Sequence, residues 1–146
     1  MTAVFSGTEI AGKLREKFLE SIIDAKPQFI LVKPEALLGI ATFLKDTAEF
    51  ALNYLTHITA VDYYDYFEVI YHLASLEHNT SLVIKTRCPR DNPKLPSVVK
   101  LWHGADFQER EIYDLFGITF EGHPNLKRIV LWEGFQGHPM RKDYLA

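Results

Sequence analysis

What this chain has little of narrows it quickly. Cys88 is its single cysteine. An iron–sulfur cluster takes about four cysteine ligands, and a structural zinc takes several Cys or His at close spacing. The chain therefore holds no cluster by itself, and an internal disulfide is excluded, which fits a reducing compartment. Long apolar runs are also missing. The longest uncharged one, Ala36 to Leu44, is far below the ~18 residues that a spanning helix needs. There is no Gly-x-Gly-x-x-Gly, so a Rossmann route to a dinucleotide is closed. The Gly117 to Gly122 spacing imitates a phosphate loop, but His123-Pro124 stand where Lys and Ser/Thr are required. Neither charge sign dominates: the net charge is −3 and the pI about 6.1. That removes the basic footprint expected of a nucleic-acid binder. The N-terminus carries Glu9 and no basic-then-apolar signal pattern. These features predict a cytoplasmic protein without a membrane span.

What is present suffices for a core. A hydrophobic fraction of 47% in 146 residues supports one domain. Thr8 to Ala25 has helical spacing, with Ile10, Leu14, Phe18 and Ile22 on one side. Gln28 to Val32 reads as a short buried strand. Pro34 is suited to the first turn of a second helix, predicted to run to about Phe50. Tyr54–Val61, Tyr66–Leu76 and Thr80–Cys88 are rich in β-branched and aromatic residues. With turns at Tyr64-Asp65 and His78-Asn79 they predict a three-stranded antiparallel meander. Pro89, Pro93 and Pro96 make residues 89–97 an extended connector. The expected fold is α+β: two N-terminal helices, a mixed sheet of about four strands, one further helix and an irregular C-terminal tail. Residues 1–100 would form the core, and 101–146 an interface segment of the same domain.

The last third is the most informative. Residues 101–122 hold five acids and one base, and residues 123–146 hold four bases and two acids. On a helical wheel at ~100° per residue, Ala105, Ile112 and Phe116 share one side of residues 105–116. Asp106, Arg110 and Asp114 share another at i, i+4 spacing, where Arg110 could bridge both acids. Glu109 falls on the apolar side. A carboxylate out of water needs a partner, and Arg128, Arg141 and Lys142 are the nearest supply. The alternative for Glu109 is a capping box with Asp106, with Gly117 as the left-handed helix stop. Gly122-His123-Pro124 and Gly137-His138-Pro139 read as two rigid corners. Between them Leu126, Ile129, Val130, Leu131 and Trp132 could anchor the path on a hydrophobic surface, of a partner or of the domain itself. His103, His123 and His138 could meet Glu109 or Glu111, but their spacings match no metal motif.

Glu109-Arg110-Glu111 with Asp114-Leu115-Phe116-Gly117-Ile118, the paired Gly-His-Pro motifs and Arg141-Lys142-Asp143-Tyr144 resemble the signature of the 30 kDa-type subunit of respiratory complex I, the NADH:quinone oxidoreductase. Chloroplast and cyanobacterial J-type subunits and subunits of membrane-bound nickel–iron hydrogenases share that family. The resemblance implies a peripheral-arm subunit without catalytic residues, cofactor or metal of its own. It would work in a proton-translocating complex that carries FMN, iron–sulfur clusters, quinone and NADH. It implies contact with the large quinone-pocket subunit, on the cytoplasmic side of a bacterial inner membrane or the corresponding thylakoid face. Glu109, Arg110, Glu111, Asp114, Arg128, Arg141 and Lys142 would form a charged docking network, with Phe107, Phe116 and Trp132 as apolar anchors. Gly117, His123, Pro124, Gly137, His138, Pro139 and Asp143 complete the motif. Two alternatives stand beside this reading: the equivalent subunit of a hydrogenase or a ferredoxin or deazaflavin oxidoreductase, and a standalone metal-dependent hydrolase.

Overall fold

The computed structural model describes residues 3–18 and 20–145. The meander forms as its β-rich runs predict: β4 (Tyr54–Asp62), β5 (Tyr66–Ser75) and β6 (Thr80–Pro89) pair antiparallel. Tyr64 and Asn79 take positive φ in the two turns. The sheet is larger than the expected four strands. Its order is β2-β3-β6-β5-β4, from β2 (Ile22–Lys26) and β3 (Phe29–Val32), and the short β1 (Ala3–Val4) also pairs with β6. β3 lies parallel to β6, which makes the sheet mixed.

Helix α1 covers only Gly7–Leu14, not the stretch to Ala25. Ile22 and Ile23 are β-branched, and Pro27-Gln28 turn the chain into a hairpin of β2 on β3. Strand pairing there outweighs the helical spacing of Phe18 and Ile22. Leu19, within the expected helix, lies outside the described residues. Helix α2 (Pro34–Asp46) starts at its proline and stops four residues before Phe50, which turns into the core. The expected connector also differs. β7 (Lys94–Pro96) pairs parallel with β8 (Thr119–Glu121), a strand beyond the third helix. Pro96 is accommodated because β7 is an edge strand of a two-stranded sheet.

The three helices share one face of the sheet. Ile10, Leu14, Leu37, Ile40, Leu44 and Ile112 join Phe67, Val69, Tyr71 and Leu73 in one buried cluster. Each such side chain contributes about 1.5–3 kcal/mol. The opposite face is half-covered by its own side chains. Lys85 lies over Phe29 and Arg87 over Tyr66, and both reach Glu68 between them. Helix α3 (Ala105–Phe116) matches its predicted span and packs beside β4. There Gln108 Oε1 accepts the free edge N–H of Ile58 at 2.5 Å.

Candidate functional site

Helix α3 ends at Gly117, which is left-handed at φ 80° and donates to Tyr113 O at 2.8 Å. An α-helix leaves its last carbonyls without intrahelical donors. Here the tail supplies them. His138 Nδ1 donates to Asp114 O at 2.9 Å, Met140 N to Leu115 O at 2.9 Å, and Arg141 Nη1 to Phe116 O at 3.5 Å. Gly117 is required twice over: a Cβ there would sit 2.8 Å from the His138 ring. Gly137 has φ 86°, and its Cβ would meet the Tyr144 ring.

Asp114 organises the other half of this contact. Its Oδ2 accepts three consecutive backbone N–H groups, from Ile129, Val130 and Leu131, at 3.2, 2.8 and 2.8 Å. Its Oδ1 accepts Arg128 Nη1 at 2.5 Å, and Arg128 Nη2 continues to Gly137 O. Burial alone would raise the Asp114 pKa. The Leu131 N–H, the Arg128 guanidinium and the Val130 and Ile129 N–H groups together outweigh it and hold the carboxyl below its ordinary value. Arg110 does not bridge Asp106 and Asp114 as its spacing suggested. It donates to the tail carbonyls of Lys127 and Arg128. His123 Nε2 instead donates to the Asp106 backbone carbonyl at 3.2 Å, with the Asp106 carboxylate 3.0 Å away, while His123 Nδ1 accepts Asn125 N–H.

A second carboxylate holds the tail's far end. Asp62, buried at the end of β4, takes a forked contact from Arg90 at 2.5 and 2.7 Å. It also accepts the N–H of Tyr64 and of Lys142, each at 2.8 Å. The Arg90 guanidinium, followed against the cost of burial by the Lys142 and Tyr64 N–H groups, holds the Asp62 carboxyl far below the ordinary range. Asp143 pairs with Arg141 at 2.8 Å and reaches Arg90 at 3.5 Å. Asp62 and Arg90 were not legible as members of this site, because Asp62 and Lys142 lie 80 residues apart.

Glu109 corrects the sequence expectation most sharply. It is 0% exposed, and none of Arg128, Arg141 and Lys142 partners it. Its oxygens accept Ser97 Oγ–H at 2.6 Å and Val98 N–H at 2.8 Å. Nor does it complete a capping box, since the N-cap is Gly104 and makes no side-chain cap. Glu109 joins α3 to the turn that follows β7. Burial raises its pKa against the lowering effect of those two hydrogen bonds. Phe116 packs edge-on against Phe67, 6.1 Å between centroids, and is too buried to anchor a partner. Phe107 (59% exposed) and Trp132 (69%) do face solvent, with Val130 and Met140. Glu111, Pro124 and Lys142 are exposed, and Pro139 is half-buried. Glu109, Arg110, Asp114, Arg128 and Arg141 thus bond within the chain, Glu111 and Lys142 stay at the surface, and the apolar residues 107, 130, 132 and 140 point outward.

Cys88 is buried, and burial pushes its thiol up to about 11, a protonated side chain rather than a nucleophile. Of the three histidines considered as ligands, His123 and His138 bind Asp106 and the Asp114 carbonyl, and His103 is exposed. Among the described residues no three His, Cys, Asp or Glu are placed to hold a metal.

Comparison with known proteins places this arrangement. The C-type subunit of the NADH-quinone oxidoreductase of Roseiflexus sp. (strain RS-1) is 43% identical over 117 residues, covering 78% of this chain and 67% of that one. The chain spans about two thirds of the length of the curated relatives it matches. A solved trypsin-resistant fragment (1–134) of Nqo5 superposes with a TM-score of 0.67 at 32% identity, over 82% of this chain and 98% of the fragment. A chain of the membrane-bound sulfane sulfur reductase, an archaeal respiratory membrane complex, superposes with a TM-score of 0.76 at 26% identity, over 94% and 85%. The family model for the respiratory-chain NADH dehydrogenase 30 kDa subunit matches residues 30–146, from β3 through α3 and the whole tail, and the chain belongs to that family.

Proposed function

We propose that this chain is a non-catalytic peripheral-arm subunit of a proton-translocating NADH:quinone oxidoreductase, where it braces the subunits that carry the redox centres. The observation that carries this reading is the family match across α3 and its tail, the segment whose charges are turned inward. With Asp114, Arg110 and Arg128 satisfied within the chain, the exposed apolar side chains Phe107, Val130, Trp132 and Met140 are the anchors this reading assigns to a partner. Exposed aromatic side chains of this kind are the usual anchors of a protein interface. The partner is the large subunit that helps form the quinone pocket. FMN, the iron–sulfur clusters, quinone and NADH belong to other subunits; one buried cysteine supplies no ligand set for a cluster. The place of action is the cytoplasmic side of a bacterial inner membrane, reached by docking. Among the described residues no helix is long and apolar enough to cross a membrane.

A second reading puts the same chain in a related respiratory complex with another electron donor, such as a membrane-bound hydrogenase or a ferredoxin or deazaflavin oxidoreductase. The likeness to a chain of the archaeal sulfane sulfur reductase complex favours it. The two readings separate in membranes of a strain deleted for this chain. The first expects NADH-driven quinone reduction to be lost and restored by the wild-type gene. Unchanged NADH-driven reduction, with loss of hydrogen- or ferredoxin-driven electron flow, selects the second.

A further inference from the structure

Residues 124–145 are attached to the domain in an unusual way. The apolar core ends at Phe120, and no described residue beyond it is buried as a whole; Leu126 is the one described tail hydrophobic that packs against that core, and the Arg141 guanidinium lies over the core ring of Phe67. Most of the other attachments are polar and gather in two places, each around a carboxylate, beside the hydrogen bonds from Arg110 to the carbonyls of Lys127 and Arg128. Asp114 binds the first, through Arg128 and the N–H groups of residues 129–131. Asp62 binds the second, through Lys142 N–H and, by way of Arg90, Asp143. Between them the tail caps the last carbonyls of α3. The segment begins behind a fixed pivot: the His123 side chain is fully enclosed on Asp106, and Gly122 at φ 86° and Pro124 flank it. Within the segment Trp132 meets Phe135 edge-on, Phe135 stacks with Tyr144, and Arg128 lies over Phe135. It therefore carries contacts of its own.

We propose that residues 124–145 form a strap that releases and re-seats as one unit, held by the Asp114 and Asp62 sockets, while the sheet and helices stay folded. Segments with few buried apolar contacts open at lower free energy than the core they lie on. Two sockets bridged by internal ring contacts make that opening cooperative. Seated, the strap turns three successive N–H groups inward to Asp114 and presents Val130 and Trp132 outward. Released, it bares the C-terminal carbonyls of α3. The strap belongs to the chain alone and holds whether or not the assembly reading does.

The test is limited proteolysis of the purified full chain with trypsin, each cleavage site timed by mass spectrometry. The strap carries four sites, Lys127, Arg128, Arg141 and Lys142; Lys85 and Arg87 in β6 report on the sheet. Cleavage through a transient opening tracks the open population. Asp114→Asn and Asp62→Asn each remove a charged acceptor, so each is expected to speed all four strap cleavages roughly ten- to a hundredfold, with Lys85 and Arg87 still protected. Three results overturn the proposal. Strap sites cut in the wild type as fast as in the unfolded chain mean that there is no seated state. Unchanged rates in both variants mean that the sockets do not hold it. Strap and sheet sites cut in parallel mean that the tail is integral to the core.

Discussion

Glu109 and Asp114 sit five residues apart on one helix, are both fully enclosed, and are treated oppositely by their surroundings. Asp114 meets an arginine and three N–H groups, whereas Glu109 meets one hydroxyl and one N–H. Glu109→Ala strands two donors and opens a cavity, so it should cost about 2–4 kcal/mol in urea unfolding. Glu109→Gln can give its oxygen to Val98 N–H and its amide to Ser97 Oγ, and should stay within about 1 kcal/mol of wild type. The pH dependence follows from the raised pKa. Between the ordinary carboxylate value and the raised one, the folded chain binds the proton more readily than the unfolded one. Wild type therefore gains stability relative to Glu109→Gln as pH falls through that window. A flat difference would contradict a raised pKa. Gly117→Ala adds left-handed strain and a contact on the His138 ring, and should cost about 1–2 kcal/mol. The wheel alone put Glu109 on the apolar side of α3. Its partner Ser97 was hidden because a serine in a proline-flanked segment carries no signal for a contact across space.

Elements with their own periodicity were legible in the sequence, and those defined by a distant partner were not. Helix α3 and the meander β4–β6 stand within a residue or two of their predicted bounds, because a 3.6-residue stripe and β-branched runs are local properties. β2 and β7 were missed. β2 is made by its hairpin with β3, and β7 by a three-residue parallel pairing with β8, beyond α3. The strap was legible as an irregular segment with glycine corners, but its path was not, since Asp62 is far away in the chain. Its two sockets predict an acid sensitivity confined to this element. The Asp62 carboxyl faces Arg90 and the Lys142 and Tyr64 N–H groups, and the Asp114 carboxyl faces Arg128 and the N–H groups of Ile129, Val130 and Leu131. Both carboxyls are held below the ordinary value, so their stabilisation is complete above it. It is lost as pH falls below ~4 through the folded values. The amide resonances of Ile129, Val130 and Leu131 should shift over that window before those of β5 change. Simultaneous loss of both sets would mean that the strap has no separate equilibrium.

At the scale of the molecule, the adjacent acidic and basic blocks do find each other, but within the chain. Asp114 pairs with Arg128, and Arg110 donates to the carbonyls of Lys127 and Arg128, so much of the motif read first as a docking network bonds the tail to α3. On the proposed reading the partner contact falls to the apolar side chains left exposed on this surface, Phe107, Val130, Trp132 and Met140. Trp132→Ala combined with Val130→Asp is expected to leave the thermal midpoint within about 2 °C, because both side chains are exposed. Incorporation into the complex should nevertheless fall severalfold by native gel. Normal incorporation would move the contact elsewhere on the chain. The most direct measurement is a tagged pull-down from gently solubilised membranes, with the accompanying chains identified and NADH:quinone activity assayed on the eluate. Recovery of the quinone-pocket and cluster-bearing subunits together with NADH-driven quinone reduction is the predicted result. Recovery of the chain alone, or of partners without that activity, would contradict it.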